Sequence, residues 1–139
     1  MHPIAPLLLV SSLCCATASA GDLTVRVEHV RSDHGAILAA LYENGASFMN
    51  PSKARATFKV KAVTGEVQYV FHDLPAGKYA LSTFHDENGN GQLDRNLVGL
   101  PKEGYGFSNS KGSLRPPRFS QAAFDFDGTS RSITITLNY

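Results

Sequence analysis

The sequence predicts an all-β protein, a seven-stranded two-sheet sandwich of immunoglobulin-like size with one long loop. Three observations lead to this fold class: short segments in which apolar and polar residues alternate, turn signals at regular spacing between them, and 12 Gly and 7 Pro scattered along 139 residues. A small β-barrel is the alternative, because alternation does not distinguish a closed sheet from two packed sheets.

The first half of the chain contains two strand patterns followed by a loop. Leu23, Val25 and Val27 alternate with polar residues and predict a strand with one buried face. Residues 36–43 are apolar on both faces, which predicts a central strand. Residues 44–56 predict a loop with one helical turn after Asn50-Pro51-Ser52.

Five more strands follow from the same reasoning. Residues 57–62 and 66–72 predict two strands joined across Thr64-Gly65, and a fifth strand runs from Tyr79 to near His85. Residues 122–126 and 130–138 predict the last two strands, on either side of an Asp127-Gly128 turn.

The start of the chain is typical of an export signal. Residues 1–20 contain no Lys, Arg, Asp or Glu, and an apolar stretch is followed by Ala18-Ser19-Ala20, the small-x-small pattern of a cleavage site. The stretch is too short to span a bilayer, so no membrane span is expected. The sequence therefore predicts a signal peptide over 1–20, a single domain over 21–139 and an exported protein. Cys14 and Cys15 both fall in the signal, which leaves the mature chain without a disulfide.

The charge balance argues against one class of partner. Thirteen Lys and Arg against 12 Asp and Glu give a net charge of +1. A protein that neutralises nucleic-acid phosphates is usually more basic, so no nucleic-acid partner is expected.

The strongest candidate for a site is the segment 86–94. Oxygen-bearing side chains recur at its first, third and fifth positions, with glycine at the sixth, as at the start of an EF-hand calcium loop. A hard cation takes about six to eight oxygen ligands, and glycine permits the sharp turn that points them inward. The predicted ligands are the side chains of Asp86, Asn88, Asn90 and Asp94 and the backbone carbonyl of Gln92.

One position departs from the calcium-loop pattern. The twelfth residue, where a bidentate Glu belongs, is Leu97. The affinity should therefore be modest, which suits an extracellular calcium module, and Glu103 is the nearest downstream carboxylate that could complete the shell. The alternative is a polar turn rich in Asn and Gly that closes a hairpin without any ion.

A long irregular stretch, residues 94–121, follows this segment. A loop of this length is usually functional or mobile. One interpretation is a binding surface that presents Tyr105, Phe107 and Phe119. The favoured interpretation is a crossover that these same rings fasten to the sandwich.

The sequence contains no recognisable catalytic motif. Gly106-Phe107-Ser108-Asn109-Ser110 lacks the closing glycine of a nucleophile elbow, and no histidines stand in an HxH or HExxH arrangement. The first hypothesis is a non-enzymatic exported domain that calcium stabilises and whose long loop binds a cell-envelope protein or glycan. The alternatives are a purely structural or adhesion module and an enzyme with an unrecognised site in the long loop, which converging His72, His85 and a carboxylate would favour.

Three motifs together resemble a known family. They are Leu74-Pro75-Ala76-Gly77-Lys78-Tyr79, the Asp86–Asp94 segment, and Gly99-x-Pro101-x-Glu103-x-Tyr105-Gly106-Phe107-Ser108. In this succession the chain resembles an uncharacterised group of exported bacterial proteins, domain of unknown function 2141. The resemblance implies a small β domain, a periplasmic or secreted location and no known activity. A looser similarity to prealbumin-like modules of bacterial surface proteins implies the same sandwich.

Overall fold

Eight strands form two sheets in the computed structural model, which describes residues 17–110, 112 and 115–139. The strands are β1 (Ala20–Val30), β2 (Ala36–Tyr42), β3 (Ala56–Lys61), β4 (Gly65–Pro75), β5 (Gly77–Asp86), β6 (Tyr105–Phe107), β7 (Phe124–Phe126) and β8 (Arg131–Thr136). A 3-10 helix (Pro51–Lys53) and one α-helix, α1 (Phe119–Ala122), lie between them. None of the described helices is long and apolar enough to cross a bilayer.

The smaller sheet has the order β4-β1-β8. β1 pairs antiparallel with β4 and parallel with β8, so the first and last described strands are neighbours. Leu23, Val25 and Val27 are fully buried, which confirms the alternation predicted for this strand.

The larger sheet has the order β3-β2-β5-β6, and β7 pairs with β5 outside this path. β2 lies between β3 and β5, as its two apolar faces predict. The inner faces of both sheets form one core cluster, to which Ile37, Leu41 and Leu81 contribute from the larger sheet. The described strands therefore form the predicted two-layer sandwich, and the barrel alternative is wrong.

The predicted helical turn in the 44–56 loop is confirmed. Asn50 caps the 3-10 helix, and its side-chain oxygen accepts a hydrogen bond from the Ser52 backbone N–H at 3.2 Å. Pro51 occupies the first position of the helix, where its missing N–H costs nothing.

The stretch 94–121 is less irregular than predicted. Its residues 105–107 form an eighth strand, β6, along Ser82–Phe84 of β5. Three residues are too few to show a periodic pattern, so the sequence predicts no strand there. The predicted strand over 122–126 begins only at Phe124, because Ala122 ends α1; there the Gln121 side chain accepts a hydrogen bond from the Arg118 backbone N–H at 2.8 Å.

The predicted signal peptide overlaps the described residues only at 17–20. Residues 1–16, with both cysteines, lie outside them. Ala20 is the first residue of β1 and lies opposite Pro75, and the Ser19 carbonyl accepts a hydrogen bond from the Ala76 backbone N–H at 3.2 Å.

Candidate functional site

The segment 86–94 begins where β5 ends, and its first residue is buried. Asp86 is fully buried and lies opposite Ala36 of β2. One of its carboxylate oxygens accepts a hydrogen bond from the Asn90 N–H at 3.1 Å, and the other accepts one from the Gly91 N–H at 2.9 Å. These bonds fold the chain back over the Asp86 side chain, with Gly91 at φ +76°.

The next polar side chains turn toward one another. The amide groups of Asn88 and Asn90 donate to the two carboxylate oxygens of Asp94, at 2.5 and 2.9 Å. Their side-chain oxygens accept hydrogen bonds from the backbone N–H groups of Asn90 and Gln92, at 3.1 and 2.9 Å. The predicted side chains at positions 88, 90 and 94 thus converge.

Glu103 reaches this loop from the far side of the following hairpin. It is 5% exposed. Its two carboxylate oxygens accept hydrogen bonds from the backbone N–H groups of Glu87 at 2.9 Å and Asp94 at 3.0 Å. Glu103 therefore fastens both ends of the loop together, and it does so through backbone groups.

The donor set of the loop is rich in amides. Its carboxylates are Asp86 and Asp94, and the exposed Gln92 offers its backbone carbonyl. Leu97, at the twelfth position, is fully exposed. Within the described residues, no three His, Cys, Asp or Glu side chains are arranged to bind a metal. Any cation here would depend on amide and backbone oxygens beside two carboxylates, which is a set that suits calcium better than a transition metal.

A second polar cluster, which no local sequence pattern predicts, borders the loop. Arg31 forms two hydrogen bonds with the carboxylate of Glu87, at 2.9 and 2.5 Å. This contact lowers the pKa of Glu87 to about 2, so the pair stays charged at neutral pH. The Arg31 guanidinium also lies 4.3 Å from the centre of the Tyr139 ring.

The Tyr139 hydroxyl connects this pair to a buried histidine. It accepts a hydrogen bond from the Arg31 backbone N–H at 3.1 Å and lies 2.8 Å from Nδ1 of His85. Nε2 of His85 lies 2.8 Å from the His34 carbonyl and donates a hydrogen bond to it, because a carbonyl can only accept. Both ring nitrogens are therefore engaged.

His72 is not part of this cluster. It lies on β4 of the smaller sheet, where its Nδ1 is 3.1 Å from the carboxylate of Asp22. The structure therefore does not bring His72 and His85 together.

The three aromatic residues predicted for ligand binding lie in a second apolar cluster. Tyr105 and Phe107 are 8% and 7% exposed, whereas Phe119 is half-buried. Phe48 lies between them, with its ring centre 6.3 Å from that of Phe107 and 5.9 Å from that of Phe119. The rings thus fasten the long loop to the outer face of the larger sheet, as the favoured interpretation predicts.

A depression remains open beside these rings. Two adjoining cavities, of about 530 and 330 Å³, share Pro51, Ser82, Phe84 and Gly91. We call them together the outer groove. Tyr105 and Phe107 line the smaller cavity, and Phe119 does not.

Two features of the outer groove bear on what it could hold. Residues Gly91, Gln92 and Leu93 form part of its wall, so the 86–94 loop and the groove are continuous. Tyr42, which also lines it, is fully buried, and within the described residues its hydroxyl has no hydrogen-bond partner. Burial raises the pKa of Tyr42, and the nearby Ser82 side chain partly offsets the rise.

Comparison with known proteins gives one match. The model of a family described as "Uncharacterized protein conserved in bacteria (DUF2141)" matches residues 25–134, which include the loop, Glu103 and β6. No curated protein and no solved structure matches the chain.

Proposed function

The chain belongs to the uncharacterised bacterial family DUF2141, and on that premise we propose that it is an exported, non-enzymatic binding domain. In this proposal the Asp86–Asp94 loop binds calcium, and the outer groove beside it receives a cell-envelope ligand. The signal pattern over residues 1–20 supports export to the periplasm or beyond.

The convergence of the loop side chains is the observation on which the calcium proposal rests. Asn88 and Asn90 both meet the Asp94 carboxylate, and Asp86 lies buried beneath the same turn. To bind a cation, Asn88 and Asn90 would turn their amide oxygens toward it, and the cation would replace their hydrogen bonds to Asp94 with stronger charge-dipole contacts. Glu103 supports the loop from outside through two backbone N–H groups.

The loop and the groove are coupled by shared residues. Gly91, Gln92 and Leu93 lie between the proposed ligands Asn90 and Asp94, and they form a wall of the outer groove. Restricting the loop with a cation would therefore restrict that wall and lower the entropy cost of ligand binding.

The lining indicates the class of ligand. Phe84, Tyr105 and Phe107 supply apolar and aromatic surface, and the half-buried Ser82 supplies a polar group. A ligand with an apolar body and one hydrogen-bonding group would match these features. An envelope protein segment or a glycan ring with an apolar face has this chemistry.

Differential scanning calorimetry tests the calcium proposal. With a dissociation constant typical of extracellular sites, about 10 mM calcium is expected to raise the melting temperature of the wild-type chain by about 5 °C relative to chelator. Asp94→Asn removes a charge without changing size, and we expect it to abolish most of that rise. It should lower the melting temperature in chelator only slightly, because the two hydrogen bonds that Asp94 accepts are exposed. Asp86→Ala is less informative, because Asp86 also accepts hydrogen bonds from two backbone N–H groups.

Asp127→Asn is the matched control. Asp127 caps an exposed turn elsewhere, where its carboxylate accepts a hydrogen bond from the Thr129 N–H at 2.8 Å. This variant should keep the full calcium response. A wild-type melting temperature that is the same in calcium and in chelator would refute the proposal.

The burial of Tyr105 and Phe107 favours a second candidate, a structural or adhesion module without a specific ligand. The two candidates differ in whether the outer groove binds a ligand. A binding domain gains further stability from envelope extracts that contain its ligand, whereas a structural module does not.

A further inference from the structure

A cluster of exposed apolar side chains projects from the hairpin that follows the loop. Leu97 is fully exposed, Val98 is 78% exposed and Leu100 is 43% exposed. We call these three residues the apolar tip. Single exposed apolar residues are ordinary, but three of them within four positions of one hairpin are typical of an interaction surface.

The backbone under the apolar tip is ordered by its own hydrogen bonds. The Asn96 side-chain oxygen accepts from the backbone N–H groups of Val98 and Leu100, both at 3.0 Å. The Asn96 N–H donates to the Leu100 carbonyl at 2.8 Å, and the Gly99 N–H donates to the Asn96 carbonyl at 2.9 Å. Because these backbone groups are already hydrogen-bonded within the chain, moving the apolar tip out of water costs little desolvation free energy.

The exposed charged side chains of the tip hairpin are cationic, and the acidic residues that flank it, Asp94 and Glu103, are more buried. Residues 95–102 contain two cations, Arg95 and Lys102, and no acidic residue. Both cations are exposed and stand at the base of the hairpin, where an isolated bridge pairs Arg95 with Pro101. The neighbouring acidic groups are engaged within the fold. The Asp94 carboxylate accepts hydrogen bonds from two side-chain amides, Glu87 pairs with Arg31, and Glu103 accepts from backbone N–H groups.

We propose that the apolar tip inserts into the surface of a membrane that contains anionic lipids. Apolar side chains would enter the region between headgroups and acyl chains, while Arg95 and Lys102 would contact lipid phosphates. A protein partner fits less well, because three side chains on a convex turn offer far less than the roughly 800 Å² that each side of a stable protein interface buries. A fluid lipid surface needs no matching cavity. This inference is independent of the calcium proposal.

Vesicle co-sedimentation tests it with the full chain. The wild-type protein is expected to sediment with vesicles of phosphatidylglycerol and phosphatidylethanolamine, and much less with phosphatidylcholine alone. The double variant Leu97→Ser, Val98→Ser should reduce the partition coefficient by roughly tenfold or more. Arg95→Gln with Lys102→Gln should reduce it by about tenfold and weaken its salt dependence.

Val63→Ser is the matched control, since Val63 is 52% exposed in another connection, between β3 and β4. It should bind vesicles like the wild type. All variants replace exposed residues, and an unchanged melting temperature confirms that each is folded. The assay is run in calcium and in chelator, so that the result does not depend on the 86–94 loop.

Two outcomes would overturn the inference. One is equal vesicle binding by the wild type and by the Leu97→Ser, Val98→Ser variant. The other is no vesicle binding together with a wild-type dimer in sedimentation velocity that the same variant disperses, which would make the tip a contact between two copies of the chain.

Discussion

Replacing Glu103 by alanine is expected to destabilise the fold by about 3 kcal/mol and lower the melting temperature by roughly 10 °C. The Glu103 carboxylate is buried and accepts two backbone N–H hydrogen bonds, one from each end of the 86–94 loop. Removing it leaves both N–H groups without a partner, and each buried unpaired group costs about 1–3 kcal/mol. Thermal unfolding followed by circular dichroism measures the change.

Two further variants test whether the loss of stability comes from the two hydrogen bonds that Glu103 accepts. Glu103→Gln keeps the size and one acceptor oxygen, so about half of the loss is expected. Glu43→Ala removes an exposed carboxylate whose contact is Arg55 at 2.6 Å, and it should cost less than about 1 kcal/mol. If Glu103→Ala were as mild as Glu43→Ala, Glu103 would not be the residue that fastens the loop.

Replacing Gly35 by alanine is expected to cost about 3 kcal/mol or more and to leave little folded protein at moderate temperature. Gly35 has φ +68°, and a Cβ there would overlap the carbonyl oxygen of Asp86. The carbonyl carbons of Asp86 and Glu87 would lie 2.9 Å from that Cβ. These are backbone atoms at the end of β5, so relief of the overlap would have to move β5 away from β2. Urea denaturation gives the free energy of unfolding.

Gly89→Ala separates the strain of a positive φ from the overlap of the new Cβ with backbone atoms. Gly89 has φ +74°, but a Cβ there would have no atom within 4 Å. Only the conformational penalty of about 1–2 kcal/mol should appear in this variant. Equal losses in the two variants would show that the contact between Gly35 and Asp86 is unimportant.

The strands that the sequence predicted well are those long enough to display a period. β1 shows three alternating buried residues and β2 is apolar on both faces, so their environments could be inferred. β6 and α1 have three and four residues, and elements this short leave no pattern. Their positions depend instead on the pairing of β6 with β5 and on the packing of Phe119.

The candidate site likewise has one part that a local sequence pattern predicts and one part that no local pattern predicts. The spacing of polar residues over 86–94 identified a loop whose side chains do converge. Glu103, predicted as the downstream carboxylate that completes a cation shell, instead accepts hydrogen bonds from two backbone N–H groups. The Arg31, His85 and Tyr139 cluster could not be predicted. Arg31 and Tyr139 are 108 positions apart and meet only because β8 pairs in parallel with β1. No local pattern encodes that register.

The most direct test of the central claim is a calcium titration of the ¹⁵N-labelled chain followed by its amide resonances. The N–H groups of Asn90 and Gly91 donate to the Asp86 carboxylate, so calcium binding to that carboxylate should shift both amide resonances. We predict saturable shifts confined to residues 86–94 and the adjacent groove wall, with the Thr64 and Thr129 amides of other turns unmoved. If no resonance of the loop moves as calcium is raised to about 10 mM, the loop is a turn closed by its own hydrogen bonds, and the proposed calcium-dependent domain is contradicted.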